Sequence, residues 1–336
     1  MPPRPNYRPE VSVYAALPAL GLHYGRAMLA NFHDRSGDQV SRLAGESSGP
    51  ISNGAWARVL GESGAYDGDG QGVLGQEGPQ FDFEMTAVQL GADIYRHEHA
   101  DGQREEVGAY VAYGRAKADV THFDGVRSGK DEVKARSIGG YWTHFGTSGW
   151  YLDGVLQGSW YRASAISLRH LGLELDREGF GWGASLEAGY PLQRGDWRLE
   201  PQLQLIYQDV DDQEGSDVAA RVQYRDVRSF SARLGGRLAR SWNLPPAADG
   251  SQRRLSGWLR LSAWREFEND AVTEFSAARG VVPFRAGPSG DWGALAIGAE
   301  LQTGQASSLY AHLGYQSGLE GDYSAFDAGV GLRWNW

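Results

Sequence analysis

Few side chains in this 336-residue chain have the spacing that catalysis or metal binding would need. The segment DGDGQG (Asp67–Gly72) alternates acid and glycine like the start of a calcium loop, but no bidentate glutamate follows at the twelfth place, so it reads as a solvated turn. His97-Glu98-His99 falls in a turn rather than on a helix face, which excludes the zinc-protease motif. Gly45-Glu46-Ser47-Ser48-Gly49 has the Gly-x-Ser-x-Gly spacing but lies in a polar stretch rather than between a strand and a helix, and although serines, histidines and acids are abundant, their spacing selects no triad. With no cysteine, disulfides and thiolate metal sites are unavailable. We therefore expect no catalytic residue, no metal and no cofactor. The useful chemistry is that of charged and aromatic side chains on a wall.

The elements that position such a wall are strands. The chain has 47 Gly, 12 Trp and 16 Tyr with a hydrophobic fraction of only 41%, a mixture suited to strands and tight turns. Its net charge of −10 argues against nucleic acid as a partner. No run approaches 18 apolar residues, which excludes a transmembrane helix but not barrel strands, because these alternate. Met1-Pro-Pro-Arg lacks the apolar run of a secretory signal, so an exported chain would be a processed or excised piece.

Twelve runs read as strands: 54–63, 83–95, 106–120, 133–145, 150–163, 176–190, 197–209, 222–240, 255–267, 292–303, 309–317 and 323–336. In the seventh, Trp197, Leu199, Pro201, Leu203, Leu205 and Tyr207 oppose Arg198, Glu200, Gln202, Gln204 and Gln208, with Ile206 the exception. In the eighth, Phe230, Ala232, Leu234 and Leu238 oppose Ser231, Arg233 and Arg237. The fourth run is blurred and its faces cannot be assigned. Links after odd-numbered runs are long and polar, and those after even-numbered runs are mostly short, with Ser241–Arg254 a long exception. An up-and-down meander with one elaborate end and one tight end matches a transmembrane β-barrel, not a Greek-key sandwich.

Twelve strands enclose more space than their own side chains fill, since eight nearly fill a barrel and sixteen leave a channel. The N-terminal text supplies an occupant. Residues 1–9 are a proline-rich linker, 10–36 hold Ala, Leu and Met at helical density, 37–52 connect, and 53–336 form the barrel. Pro18 should sit in the first turn or kink the helix, leaving Pro18–Arg35 as a regular stretch of about 27 Å, close to a hydrocarbon core. His23, Arg26, Asn31, His33 and Asp34 make it too polar to face lipid. We expect the fold to be an all-β, 12-stranded antiparallel up-and-down barrel with this helix in the pore. Arg58, Glu187, Glu200, Arg233, Arg237, Glu300 and Arg333 should face it from the wall, and Trp150, Trp160, Trp197, Tyr207, Trp334 and Trp336 should form interfacial girdles.

YRPEVSVYAALPAL (Tyr7–Leu20), RSGD (Arg35–Asp38), GAWARVLG (Gly54–Gly61) and the terminal GLRWNW (Gly331–Trp336) together resemble, in that order, the C-terminal translocator domain of autotransporters, the type V secretion proteins of Gram-negative outer membranes. The resemblance covers essentially the whole chain. It implies outer-membrane lipid around the barrel, an upstream passenger carried to the cell surface, the barrel-assembly machinery as partner, a monomer, and no enzymatic activity of the barrel itself. The nine-residue leader is too short to be a passenger. The family's terminal assembly signal falls on Gly331, Trp334 and Trp336, with Gly329 departing at its polar position. Self-cleaving members use an Asn-Asn pair that aligns here with Ala30 and Asn31, so that chemistry is not expected. A porin-like channel for small solutes and an outer-membrane barrel enzyme are the alternatives. The first would lack the RPEV helix, and the second would need an Asp/His/Ser cluster at the outer rim.

Overall fold

The computed structural model describes residues 7–29, 31–37, 54–67, 79–122, 124–169, 172–175, 178–247, 250–269, 271–277, 280–285, 290–304, 307–319 and 323–336. Residues 1–6 of the expected linker, Ala30, the connecting segment from Asp38 to Asn53, and all but the first residue of Asp67–Gly72 lie outside them.

Twelve long strands follow two helices. They are β1 (Gly54–Asp67), β2 (Gln80–Glu98), β3 (Arg104–Thr121), β4 (Arg127–Phe145), β5 (Tyr151–Ser167), β6 (Gly179–Gly189), β7 (Trp197–Val210), β8 (Val227–Leu244), β9 (Arg253–Asn269), β10 (Asp291–Gln302), β11 (Ser307–Gly318) and β12 (Tyr323–Asn335). Each pairs antiparallel with its sequence neighbours. β1 pairs with β12 from Gly54↔Asn335 to Tyr66↔Tyr323, which closes the cylinder and leaves no edge.

Polarity is inverted relative to a soluble protein. Val88, Leu156, Leu234, Leu261, Ile297 and Val330 are exposed on the outer wall, while Gln89, Glu187, Gln202, Arg233 and Arg237 are buried. Only a lipid-facing wall around a polar lumen makes that distribution favourable. Among the described residues no helix is long and apolar enough to cross a membrane, which is no constraint on strands.

Three differences from the sequence reading have physical causes. First, β4 begins at Arg127, and the link before it shrinks to His122–Val126. Its outer face carries Lys130, Glu132, Lys134 and Arg136 and its inner face Asp131, Val133, Ala135 and Ser137, so charges outside masked the alternation. Second, the eighth run breaks at Asp226 (φ 50°), a left-handed residue that aspartate tolerates. The separated strand Arg221–Arg225 leaves the barrel to pair with Gln213–Ser216 and Val272–Ala277, and the latter forms a hairpin with Gly280–Arg285. These short strands extend the sheet at the end of the long links.

Third, the helix is not the regular stretch Pro18–Arg35. α1 runs Glu10–Leu29 with Pro18 in its middle, and a separate turn, α2, covers Phe32–Ser36. Proline cannot donate to the carbonyl one turn back, which is that of Tyr14. The Tyr224 hydroxyl donates to that carbonyl at 3.0 Å, so a wall side chain supplies the bond that the ring removes. Asn31 caps α2 by accepting from the Asp34 N–H, which makes the break between the helices a capped start rather than fraying.

Candidate functional site

The helices sit inside the lumen, and their apolar residues choose a side. Val13, Leu17, Leu20, Tyr24 and Met28 are buried with Met85, Ala112, Ala116, Val133, Ala135 and Tyr161, so α1 lies mainly against β3, β4 and β5. A Cβ on Gly25 would meet the Gln208 side chain at 2.1 Å, so this helix glycine, weak in propensity, is set by close approach to β7. On the opposite side a polar void of about 140 Å³ remains, lined by His23, Arg26, Asp34, Arg58, Arg260 and His312 among others. That space can hold several waters.

The end of α1 leaves carbonyls without helical partners. Arg58 on β1 donates from Nη2 to the Ala27 carbonyl at 3.0 Å and from Nε to Gln89 at 2.6 Å, and Gln89 on β2 donates to the Met28 carbonyl at 3.1 Å. A cation at the negative end of the helix dipole is the favourable arrangement. The start of α2 is met by an anion. The Phe32 N–H donates to Glu187 Oε2 at 3.0 Å, while Tyr151 donates to the other Glu187 oxygen at 2.7 Å and Arg233 pairs with it at 3.2 Å. His33 Nε2 lies 2.6 Å from Glu200. Arg35 donates to Asp153 at 2.5 Å and stacks 4.2 Å over Tyr141. Asp34 pairs with Arg260 at 3.3 Å.

Further along α1, His23 lies 2.9 Å from Glu62 and Arg26 stacks 4.9 Å over Trp292. At the long-link end, Arg8 and Tyr14 both donate to Asp217, at 2.6 Å and 3.0 Å, and Ser12 meets His122 at 2.6 Å. Burial pushes the Asp217 carboxyl up, but bonds from Arg8, from the Ala219 and Ala220 N–H groups and from Tyr14 hold it below the ordinary carboxylate value.

The wall residues named from sequence are all buried in the lumen, but they do different things. Arg58, Glu187 and Glu200 touch the helices, and Arg233 acts through Glu187, Gln202 and Gln204. Arg237 stacks 5.1 Å over Trp258. Glu300 lies against Gly37, where φ is +69° and a Cβ would come within 2.6 Å of its carboxylate, so only glycine fits there. Arg333 bonds Asp93 across β1 instead of reaching the helices. Gly54 lies close beneath that crossing, since a Cβ there would be 2.7 Å from Asn335 Oδ1, 3.0 Å from Asp93 and 3.1 Å from Arg333.

In the terminal segment Gly331 faces inward under the Tyr310 ring, which would be 2.2 Å from a Cβ, whereas Trp334 and Trp336 are 60% and 62% exposed on the outer wall. Trp150, Trp160 and Trp197 also face outward, and Tyr207 is half-buried. Sequence reasoning missed Gln89, Asp93, Asp153 and Arg260, which were findable as polar positions on the inward face of alternating runs. Arg35 was hidden in a segment read only as helix, and Asp34 was read there as polar without its partner Arg260.

A family profile, the autotransporter beta-domain, matches residues 55–314. The probable autotransporter YpjA of Escherichia coli (strain K12) is 25% identical over 295 residues, 85% of this chain and 17% of that protein. The pertactin autotransporter of Bordetella bronchiseptica is 28% identical over 276 residues, 80% of this chain and 27% of that protein. The transport unit of the autotransporter AIDA-I from Escherichia coli shares the fold, with a TM-score of 0.73 at 18% identity over 98% of this chain and 100% of that one. The chain spans only 10% to 27% of the length of these and similar curated relatives. With a closed twelve-stranded barrel, a helix in its lumen and a profile match over most of its length, the chain belongs to the autotransporter β-domain family of Gram-negative outer-membrane proteins.

Proposed function

We propose that this barrel anchors in the outer membrane and passes an upstream passenger to the cell surface, and that α1 is the last segment to enter the lumen and stays there as its plug. What supports this is the direction of α1. Its first residues meet Asp217, in a link at the elaborate end, and α2 meets Tyr151 and Phe145, beside the tight turn after β4. A chain upstream of Met1 would leave by the elaborate end, the cell-surface end of outer-membrane barrels.

In this reading the barrel works as a monomer and catalyses no reaction. The lumen charges position the helix and tolerate water when it is absent. Gly331, Trp334 and Trp336 act in recognition by the barrel-assembly machinery, with the two exposed indoles as the contact surface. Deleting Trp336 should impair membrane insertion in cells more than refolding in detergent, and equal loss in both would remove the recognition role.

Single-channel conductance tests the plug. The full chain should conduct weakly, and deletion of residues 1–36 should raise conductance severalfold. Large, stable conductance with the helix present would favour the porin reading instead.

A further inference from the structure

The outer wall of β3, β4 and β5 carries a basic row that the translocation reading does not use. Arg115, Lys134 and Arg162 lie directly opposite one another across the three strands. Arg136 stands in the next row toward the tight end, between the exposed rings of Tyr113 and Trp160. The row after that is apolar, with Val111 opposite Ile138. The basic row therefore sits two residues, about 7 Å, above the aromatic girdle on the cell-surface side, at headgroup depth.

Like charges facing each other across strands are destabilising. Nearby acids offset only part of this charge. Glu132 contacts both Arg115 and Lys134, and Glu178 contacts both Arg136 and Arg162, at 2.7 Å and 2.9 Å. Four cations thus share two carboxylates. The remaining acids of this wall, Asp82, Glu84 and Asp119, lie in rows farther from the girdle. The four cationic side chains are 43%, 47%, 65% and 75% exposed, and the chain as a whole carries a net charge of −10, so the patch is not part of a general basicity.

We propose that Arg115, Lys134, Arg136 and Arg162 form a seat for the phosphates of an anionic glycolipid headgroup in the outer leaflet. Guanidinium forks match phosphate oxygens bidentately, and the aromatic row beneath meets the upper acyl region. The proposal rests on the outer-membrane placement of the barrel, which refolding in detergent, read by heat-modifiable migration, checks independently.

The test uses the full refolded chain with diphosphorylated lipid A, monophosphoryl lipid A and inorganic phosphate as probes. Each basic residue near an anionic lipid surface contributes about fivefold, so R115Q/K134Q/R162Q should weaken binding of diphosphorylated lipid A by about 100-fold, and at least tenfold. R194Q/R253Q/R254Q, an equal charge change at the tight end, should leave it within twofold. The wild-type chain should prefer the diphosphorylated form at least tenfold, which decides the matter even if the triple variant does not fold. Equal binding of both lipid forms, equal weakening by the control variant, or displacement of lipid A by millimolar phosphate would each overturn the proposal.

Discussion

Replacing Asp153 with asparagine should release the plug without opening the barrel. Asp153 and Arg35 are 3% and 4% exposed and joined at 2.5 Å, with the Thr143 hydroxyl also donating to the same carboxylate oxygen. Removing one charge of a buried pair costs about 3–5 kcal/mol, because the partner is left uncompensated. Asparagine can still accept from Arg35 and Thr143, and the guanidinium keeps its place over Tyr141, so the low end of that range applies. About 3 kcal/mol raises the undocked population about 150-fold.

Trypsin cleavage after Arg26, followed by mass spectrometry on the folded barrel in detergent, reads this population when opening and reclosing are fast relative to cleavage. D153N should raise the cleavage rate by about two orders of magnitude while heat-modifiable migration is unchanged. R35M should act similarly, and D153N/R35M should be milder than D153N alone, since removing both partners leaves no orphaned charge. A rise of less than threefold in D153N, or strictly additive effects in the double variant, would refute the assignment of this pair as a docking contact.

Tyr224→Phe leaves the Tyr14 carbonyl unpaired opposite Pro18, which should cost about 1–2 kcal/mol and raise cleavage after Arg26 about tenfold. Gly54→Ala forces a methyl between Asp93 and Arg333 at the closing seam, and should destabilise the barrel by about 1–3 kcal/mol, seen as a lower midpoint of heat-induced unfolding. The Asp217 contribution has a defined pH window. Because its folded pKa is depressed, the stabilisation is complete above the ordinary carboxylate value of about 4 and is lost as pH falls through the lower folded value. Hydrogen-exchange protection of residues 10–18, measured from pH 3 to pH 7, should fall at the acid end in the native chain and be low and flat there in D217N.

Strand faces were readable because lumen and lipid impose opposite chemistry on alternate residues. Reading failed where that contrast weakens. β4 carries charges on its outer face, so neither face looked apolar, and the link before it was read too long. The helix misled because Pro18 normally marks a first turn or a kink, and the hydroxyl that compensates it belongs to Tyr224, more than two hundred residues away. Wall residues could be picked out as polar positions in alternating strands. Their partners could not, since Arg58, Gln89 and Glu187 meet the backbone atoms of Ala27, Met28 and Phe32, and a backbone atom leaves no mark in the side-chain sequence.

The lumen contacts also indicate which forces hold the plug and which place it. Arg58, Glu187 and Glu200 face a water-accessible lumen when the helix is absent, so docking gains their bonds only after stripping their hydration, and such exchanges come close to break-even. Burial of Leu17, Leu20, Tyr24 and Met28 against β3, β4 and β5 has no such offset and is worth about 1.5–3 kcal/mol for each large side chain. Affinity should therefore reside on the apolar face and register in the charges. Leu20→Ala should loosen the helix in place, while D153N/R35M, which removes both partners and orphans neither, lets the segment around Arg35 shift along the lumen. A wall that binds mainly through one apolar strip, and otherwise accepts water, also suits a pore that must let an unrelated chain slide past before its own helix arrives.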